Sequence, residues 1–130
     1  MLGSRVNLRS AIVIACLFLA AIFFFSETGS AQKSQRAKMD EFAQCLAKKN
    51  LVMYGSFLCP HCDDQKKLFG DSFKYVHYVE CSAMGLPQDR NACKLAQIRF
   101  TPTWILPSGE RLVGVQTLKQ LSDKAGCMAP

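Results

Sequence analysis

Apolar residues change their spacing several times along this chain, and each change marks an element. Met39, Phe42, Ala43 and Leu46 recur at intervals of three or four, on one face of a helix that Asn50 is suited to end. LVMY, residues 51–54, is a short continuous apolar run of the kind a buried strand carries. Gly55 and Ser56 then loosen the chain, and Pro60 fits the first turn of a helix, where its missing N–H costs nothing. That helix is expected to reach about Phe69 and to stop at Gly70. KYVHYVE, residues 74–80, is rich in β-branched and aromatic side chains and predicts a second strand, with His77 partly buried within it. Asp89 is the expected cap of a short helix carrying Ala92, Cys93, Leu95 and Ala96. TWIL (103–106), PSGE and RLVGV (111–115) predict a hairpin around a Pro/Gly turn. Thr117 caps a last helix, with Leu118, Leu121 and Ala125 inward and Gly126 at its end. A β-α-β unit followed by a hairpin and a helix predicts an α/β fold, a small central mixed sheet flanked by helices.

Ahead of these elements the pattern is different. Residues 11–25, AIVIACLFLAAIFFF, lack any charged or polar side chain and follow Arg5 and Arg9. As a helix the run reaches about 23 Å, short of a hydrocarbon core of roughly 30 Å. A signal peptide and a short membrane anchor both fit residues 1–25; the aromatic IFFF end and the lack of a crisp A-x-A site favour the anchor. The basic residues before the run keep its N-terminus inside, so the rest of the chain is expected on the extracytoplasmic side, periplasmic or lumenal. Cys16 loosely fits a lipoprotein box, but too few apolar residues precede it, and it reads as a small apolar residue in the bilayer. Residues 26–36 are small and polar, a tether to a domain expected over 37–130.

The net charge of +6 over 130 residues suggests a polyanion partner until its distribution is considered. Residues 1–36 set Arg5, Arg9, Lys33 and Arg36 against Glu27, and residues 37–130 set twelve basic side chains against nine acidic ones. The domain is thus only mildly basic, and no basic stripe is interleaved with aromatics. Nucleic-acid binding is not expected.

Seven cysteines carry the chemistry. Outside the cytoplasm cysteines tend to be oxidised and paired, and without Cys16 six remain, enough for three bridges. Cys59-Pro60-His61-Cys62 lies between a predicted strand and a predicted helix. Cys59 at a helix N-terminus meets unpaired N–H groups and a partial positive charge, which favour the nucleophilic thiolate. Cys62, one turn on, has the spacing to attack a mixed disulfide and release the substrate. His61 either tunes the Cys59 thiolate, together with Pro60, or is simply an exposed helix residue. Thr101-Pro102 precedes the TWIL strand, and an X-Pro bond adopts cis at modest cost.

At these residues the chain resembles the thioredoxin-like disulfide oxidoreductases. Residues 37–130 look like such a domain, and C-P-H-C is the pair of its strongly oxidising members. MYGSFLCPHCDDQKKLFG, YVEC and FTPTW together resemble the domain that accompanies bacterial and plant homologues of vitamin K epoxide reductase. The resemblance implies disulfide exchange with protein substrates, and reoxidation by a membrane-embedded, quinone-linked reductase homologue. It implies a cis bond before Pro102, with Thr101 and Pro102 facing Cys59 and holding the substrate chain. It implies no cofactor beyond the Cys59–Cys62 disulfide itself. It also implies a bridge between Cys81 and Cys93, which flank a loop and a helix start as in that family; a second redox pair is the alternative. Cys45 and Cys127 would then tie the two ends of the domain, although no local signal fixes that pairing. One departure stands out. Thioredoxins carry a buried acid six residues before the first cysteine, where Met53 stands here, so Glu80 or water would serve Cys62; Leu58 stands where they carry Trp.

Metal chemistry competes with this reading. Cys59, Cys62, Cys81 and Cys93 offer four thiolates, with His61 and His77 in reserve, but the 81/93 spacing is too wide for a zinc knuckle. A copper-handling thioredoxin-like protein is the stronger alternative, because C-x-x-C with a nearby histidine suits Cu(I). An inert structural bridge is a third. Reductase and isomerase use the same two sulfurs as an oxidase and differ in potential and partner. No metal is expected on the redox reading.

Overall fold

The computed structural model describes residues 31–130, and the unit that carries the chemistry is Arg36–Pro130. The apolar run 11–25, Cys16 and residues 26–30 of the tether lie outside the described residues. Helix α1 covers residues 31–48, so residues 31–36, expected as tether, are helical. It buries Phe42, Ala43 and Leu46, and the chain leaves it through Asn50 at φ 56°, a left-handed conformation that asparagine tolerates. Strand β1 is Val52–Gly55, and helix α2, Pro60–Phe69, has Pro60 in its first turn and Gly70 at its C-cap at φ 55°.

Beyond Gly70 the chain departs from the expected course. It continues directly into a 3-10 segment, Gly70–Tyr75, and strand β2 is only His77–Glu80. Lys74 and Tyr75 have strand-forming neighbours, but the 3-10 turns place Phe73 against Phe69 and Tyr78, edge to face. Tertiary packing overrides local preference there. His77 is exposed at the start of β2, not partly buried.

Helix α3 is Pro87–Leu95. Its N-cap is Leu86, and Asp89, expected as the cap, sits inside the first turn. Pro87 needs no N–H partner and starts the helix three residues earlier. Of its apolar residues only Cys93 is buried, and Leu95 is exposed. Strands β3 (Thr103–Ile105) and β4 (Arg111–Val113) form the hairpin. Helix α4, Leu118–Ala125, opens with a full capping box between Thr117 and Gln120 and ends at Gly126, φ 66°.

The four strands lie in the order β2-β1-β3-β4. β1 pairs parallel with β2, antiparallel with β3, and β3 pairs antiparallel with β4. Parallel pairing of β1 and β2 requires a crossover, which α2 and the 3-10 segment supply. One core gathers Phe42 and Leu46 of α1, Met53 of β1, Phe69 of α2, Trp104 of β3 and Leu121 of α4. Phe69 is its hinge point, stacked on Phe42 at 6.0 Å and tilted against Trp104 at the same distance. The sheet is thereby locked to the helix that begins at Cys59.

Candidate active site

The turn after β1 delivers Cys59 to the N-cap of α2, in extended conformation, with Pro60 next. Its sulfur is half-buried and donates to the Thr101 carbonyl at 3.3 Å, across 42 residues of sequence. The Thr101–Pro102 bond is cis, and Pro102 is buried behind it. Thr101 and Pro102 therefore stand opposite the C-x-x-C, brought there by the start of β3 and held by the Gly114 N–H on the Pro102 carbonyl at 2.8 Å.

The two sulfurs have opposite surroundings. Hydrogen bonding from the Thr101 side chain is the largest influence on Cys59; burial, the next largest, opposes it, and the backbone N–H groups of Cys62 and His61 and the Cys62 thiol reinforce it. The Cys59 thiol is held below its ordinary pKa. Cys62 is fully buried, and that burial pushes its thiol up, with the neighbouring Cys59 sulfur adding to the rise; the Ser56 N–H, 3.4 Å from its Sγ, only partly offsets this. A thiolate-forming, accessible sulfur beside a buried thiol is the arrangement disulfide exchange requires. The two cysteines are not joined by a disulfide in this structure.

His61 contributes to Cys59 through its backbone, while its imidazole is exposed with Nδ1 4.0 Å from Asp64. Phe57, Leu58 and Phe100 are exposed large apolar residues on the loops that carry Cys59 and Thr101. Cys81 is bonded to Cys93, tying the end of β2 to α3, and Cys45 to Cys127, tying α1 to the segment after α4. That divides the four thiolates of the zinc reading: two are consumed in a bridge. Among the described residues no group of three or more His, Cys, Asp or Glu side chains is arranged to hold a metal ion. Met53, at the position where thioredoxins carry an acid, is fully buried in the core.

Sequence reasoning did not find Gln65. It is fully buried on α2, donates from Nε2 to the Gln116 carbonyl at 3.0 Å, and its Oε1 accepts from Trp104 Nε1 (3.2 Å) and the Gln116 N–H (2.7 Å). One amide thus fastens the cysteine helix to β3 and to the loop before α4. Glutamine on an amphipathic helix ordinarily marks the solvent face, so no signal in the chain could have revealed it.

No family model matches the chain. Over 108 residues, 80% of its length, it is 32% identical to the thiol-disulfide oxidoreductase LTO1 of Arabidopsis thaliana, and it spans 28% of that protein's length. Among solved structures it is similar to the glutaredoxin of Methanosarcina mazei Go1, with a TM-score of 0.41 and 26% identity, over 58% of this chain and 77% of that one. The C-x-x-C at the start of α2, the Thr101–Pro102 loop facing it and the LTO1 similarity support a thioredoxin-like oxidoreductase domain.

Proposed function

We propose that this thioredoxin-like domain exchanges disulfides with protein substrates through Cys59 and Cys62, acting as an extracytoplasmic oxidase. The observation that carries the reading is the pairing of a lowered-pKa, half-buried Cys59 with a buried Cys62, opposite Thr101 and cis-Pro102. In the oxidised form a substrate thiolate attacks Cys59 Sγ, the Cys59–Cys62 bond breaks, and Cys62 leaves with the electron pair and takes up a proton. A second substrate thiolate attacks the substrate sulfur of the mixed disulfide, and Cys59 departs as the thiolate that its surroundings favour. Two electrons pass from the substrate dithiol to the protein couple, and no further cofactor is needed.

The oxidase direction is supported by the stabilised Cys59 thiolate, because stabilising the reduced form raises the potential. Exposed Phe57, Leu58 and Phe100 around the site suit apolar segments of incompletely folded polypeptides. An extracytoplasmic setting is supported by two bridges in a domain of this size and by basic residues ahead of the apolar run 11–25. Such a couple needs an electron acceptor; the resemblance of its C-P-H-C, YVEC and FTPTW segments suggests a quinone-linked homologue of vitamin K epoxide reductase.

Equilibration of the Cys59–Cys62 couple against glutathione buffers tests this. The oxidase reading predicts a potential of about −180 to −120 mV, the range of oxidising members of this chemistry. A value near −270 mV, as for a dedicated reductant, would overturn the direction of electron flow.

A further inference from the structure

Cys62 is enclosed by groups of unequal character. β1 offers the bare backbone of Gly55, the loop after it the Ser56 N–H, and the start of α2 the Cys59 sulfur. From β2 comes Tyr78. A Cβ built on Gly55 would stand 2.7 Å from Tyr78 Cε2, 3.3 Å from its Oη and 3.2 Å from Cys62 Sγ. Hydroxyl and sulfur thus converge on one patch of bare backbone that only a glycine leaves open.

The hydroxyl has a fixed direction. Tyr78 Oη donates its proton to Glu80 Oε2 at 2.6 Å, and the same carboxylate accepts the Phe57 N–H at 3.1 Å and, on Oε1, the Ser82 N–H at 2.8 Å. Burial pushes the Glu80 carboxyl up, but these hydrogen bonds outweigh it and leave it below its usual range, so it is ionised at neutral pH. The other charge facing the phenol is Lys66, whose Nζ lies 4.2 Å from the ring centroid. A phenol whose one proton is committed to a carboxylate presents only lone pairs elsewhere. Towards Cys62 it has no proton to donate, and so nothing with which to stabilise a thiolate there.

We propose that Tyr78 and Glu80 are a positioning pair that keeps Cys62 protonated, by committing the Tyr78 hydroxyl proton to Glu80 and so withholding it from the Cys62 sulfur, so that Cys59 reacts first. The inference rests on the exchange function proposed above. In the resolving step Cys62 Sγ bonds to Cys59 Sγ and the bond from Cys59 to the substrate sulfur breaks. The substrate sulfur leaves with that electron pair, and the proton lost by Cys62 passes through water to the departing thiolate. The pair delays this step until a mixed disulfide is present.

Titration of the Cys62 thiolate absorbance in the full chain carrying Cys59→Ser tests the pair without requiring exchange. Adding Glu80→Gln gives the phenol oxygen an amide donor and frees its own proton for Cys62. The thiolate fraction near neutral pH should rise about tenfold, a downward shift of about one unit. Glu80→Asp keeps the charge but withdraws it from the hydroxyl, and should act in the same direction. With Tyr78→Phe in place, Glu80→Gln should change nothing further. In the Cys59-competent chain, release of thionitrobenzoate from a preformed Cys59 mixed disulfide should quicken only about threefold in Glu80→Gln, because the gain in thiolate is partly offset by a nucleophilicity that falls with the pKa. An unshifted Cys62 titration in Glu80→Gln, an unshifted Glu80→Asp, or an equal shift with Tyr78→Phe overturns the pair while leaving the exchange function standing. Loss of exchange with the shifts intact overturns the exchange function instead.

Discussion

Cys59 and Cys62 are three positions apart and chemically identical, so what separates them is their neighbours. Thr101 contributes the largest of the influences that hold Cys59 low, while burial raises Cys62. Thr101→Val keeps the backbone carbonyl and removes the hydroxyl. We expect the Cys59 pKa to rise and its thiolate fraction near neutral pH to fall, read as the pH midpoint of Cys59 alkylation. An unchanged midpoint would remove Thr101 from the account. The lowered Cys59 pKa also sets a pH dependence in the reduced protein. A depressed folded-state pKa means that the folded state binds fewer protons than the unfolded one. The stabilisation is therefore complete above the ordinary thiol value and is lost as pH falls through the lowered one. Reduced wild type should gain stability over Cys59→Ser across that window as pH rises, measured by denaturant midpoints. A gain in the opposite direction would contradict the lowered pKa.

Elements set these neighbours in place, and Gln65 shows how. Replacing it by Leu fills a similar volume but leaves the Trp104 Nε1–H and the Gln116 N–H and carbonyl unpaired in the interior. The expected loss is about 2–4 kcal/mol in urea unfolding of the oxidised protein. Thr117→Ala, which removes only the α4 cap, should cost about 1 kcal/mol. If Gln65→Leu costs no more than Thr117→Ala, the amide does not hold the cysteine helix. The same contrast explains which elements were legible in the chain. Helices α2 and α4 carry Pro60, Gly70, Thr117 and Gly126, residues whose backbone chemistry marks helix ends locally, and both were read with the right bounds. The C-x-x-C and the Thr101-Pro102 step were legible because each combines residue type with position beside an element. Strand β2 begins three residues later than its sequence pattern predicts, because its start depends on Phe73 meeting Phe69 and Tyr78. The α3 cap was misplaced because Pro87 outcompetes Asp89 for the start. Gln65 was invisible, since its partners lie 39 and 51 residues away.

Over the whole molecule, the two bridges differ in how much chain they constrain. Cys45–Cys127 has a sequence separation of 82 and Cys81–Cys93 one of 12. In the chain-entropy model these are worth about 4.5 and about 3 kcal/mol. Cys45→Ala/Cys127→Ala should therefore lower the thermal midpoint more than Cys81→Ala/Cys93→Ala, with disulfide exchange retained below both transitions. The reverse order would show that the Cys81–Cys93 bridge does more than restrain the unfolded chain. Cys81 follows Glu80 directly, and its N–H binds the Gly55 carbonyl at 2.7 Å, so that bridge also fastens the strand ends beneath Cys62.

The central claim is that Cys59 is the reactive sulfur that bonds to substrate and Cys62 its buried partner. Its most direct measurement is the site of first alkylation in native full-length protein with only the Cys59–Cys62 pair reduced. One equivalent of iodoacetamide near neutral pH, followed by peptide mapping, should place the label on Cys59, with Cys45, Cys81, Cys93 and Cys127 unlabelled. Label on Cys62 ahead of Cys59, or a Cys59 no faster than an ordinary free cysteine, would contradict the account.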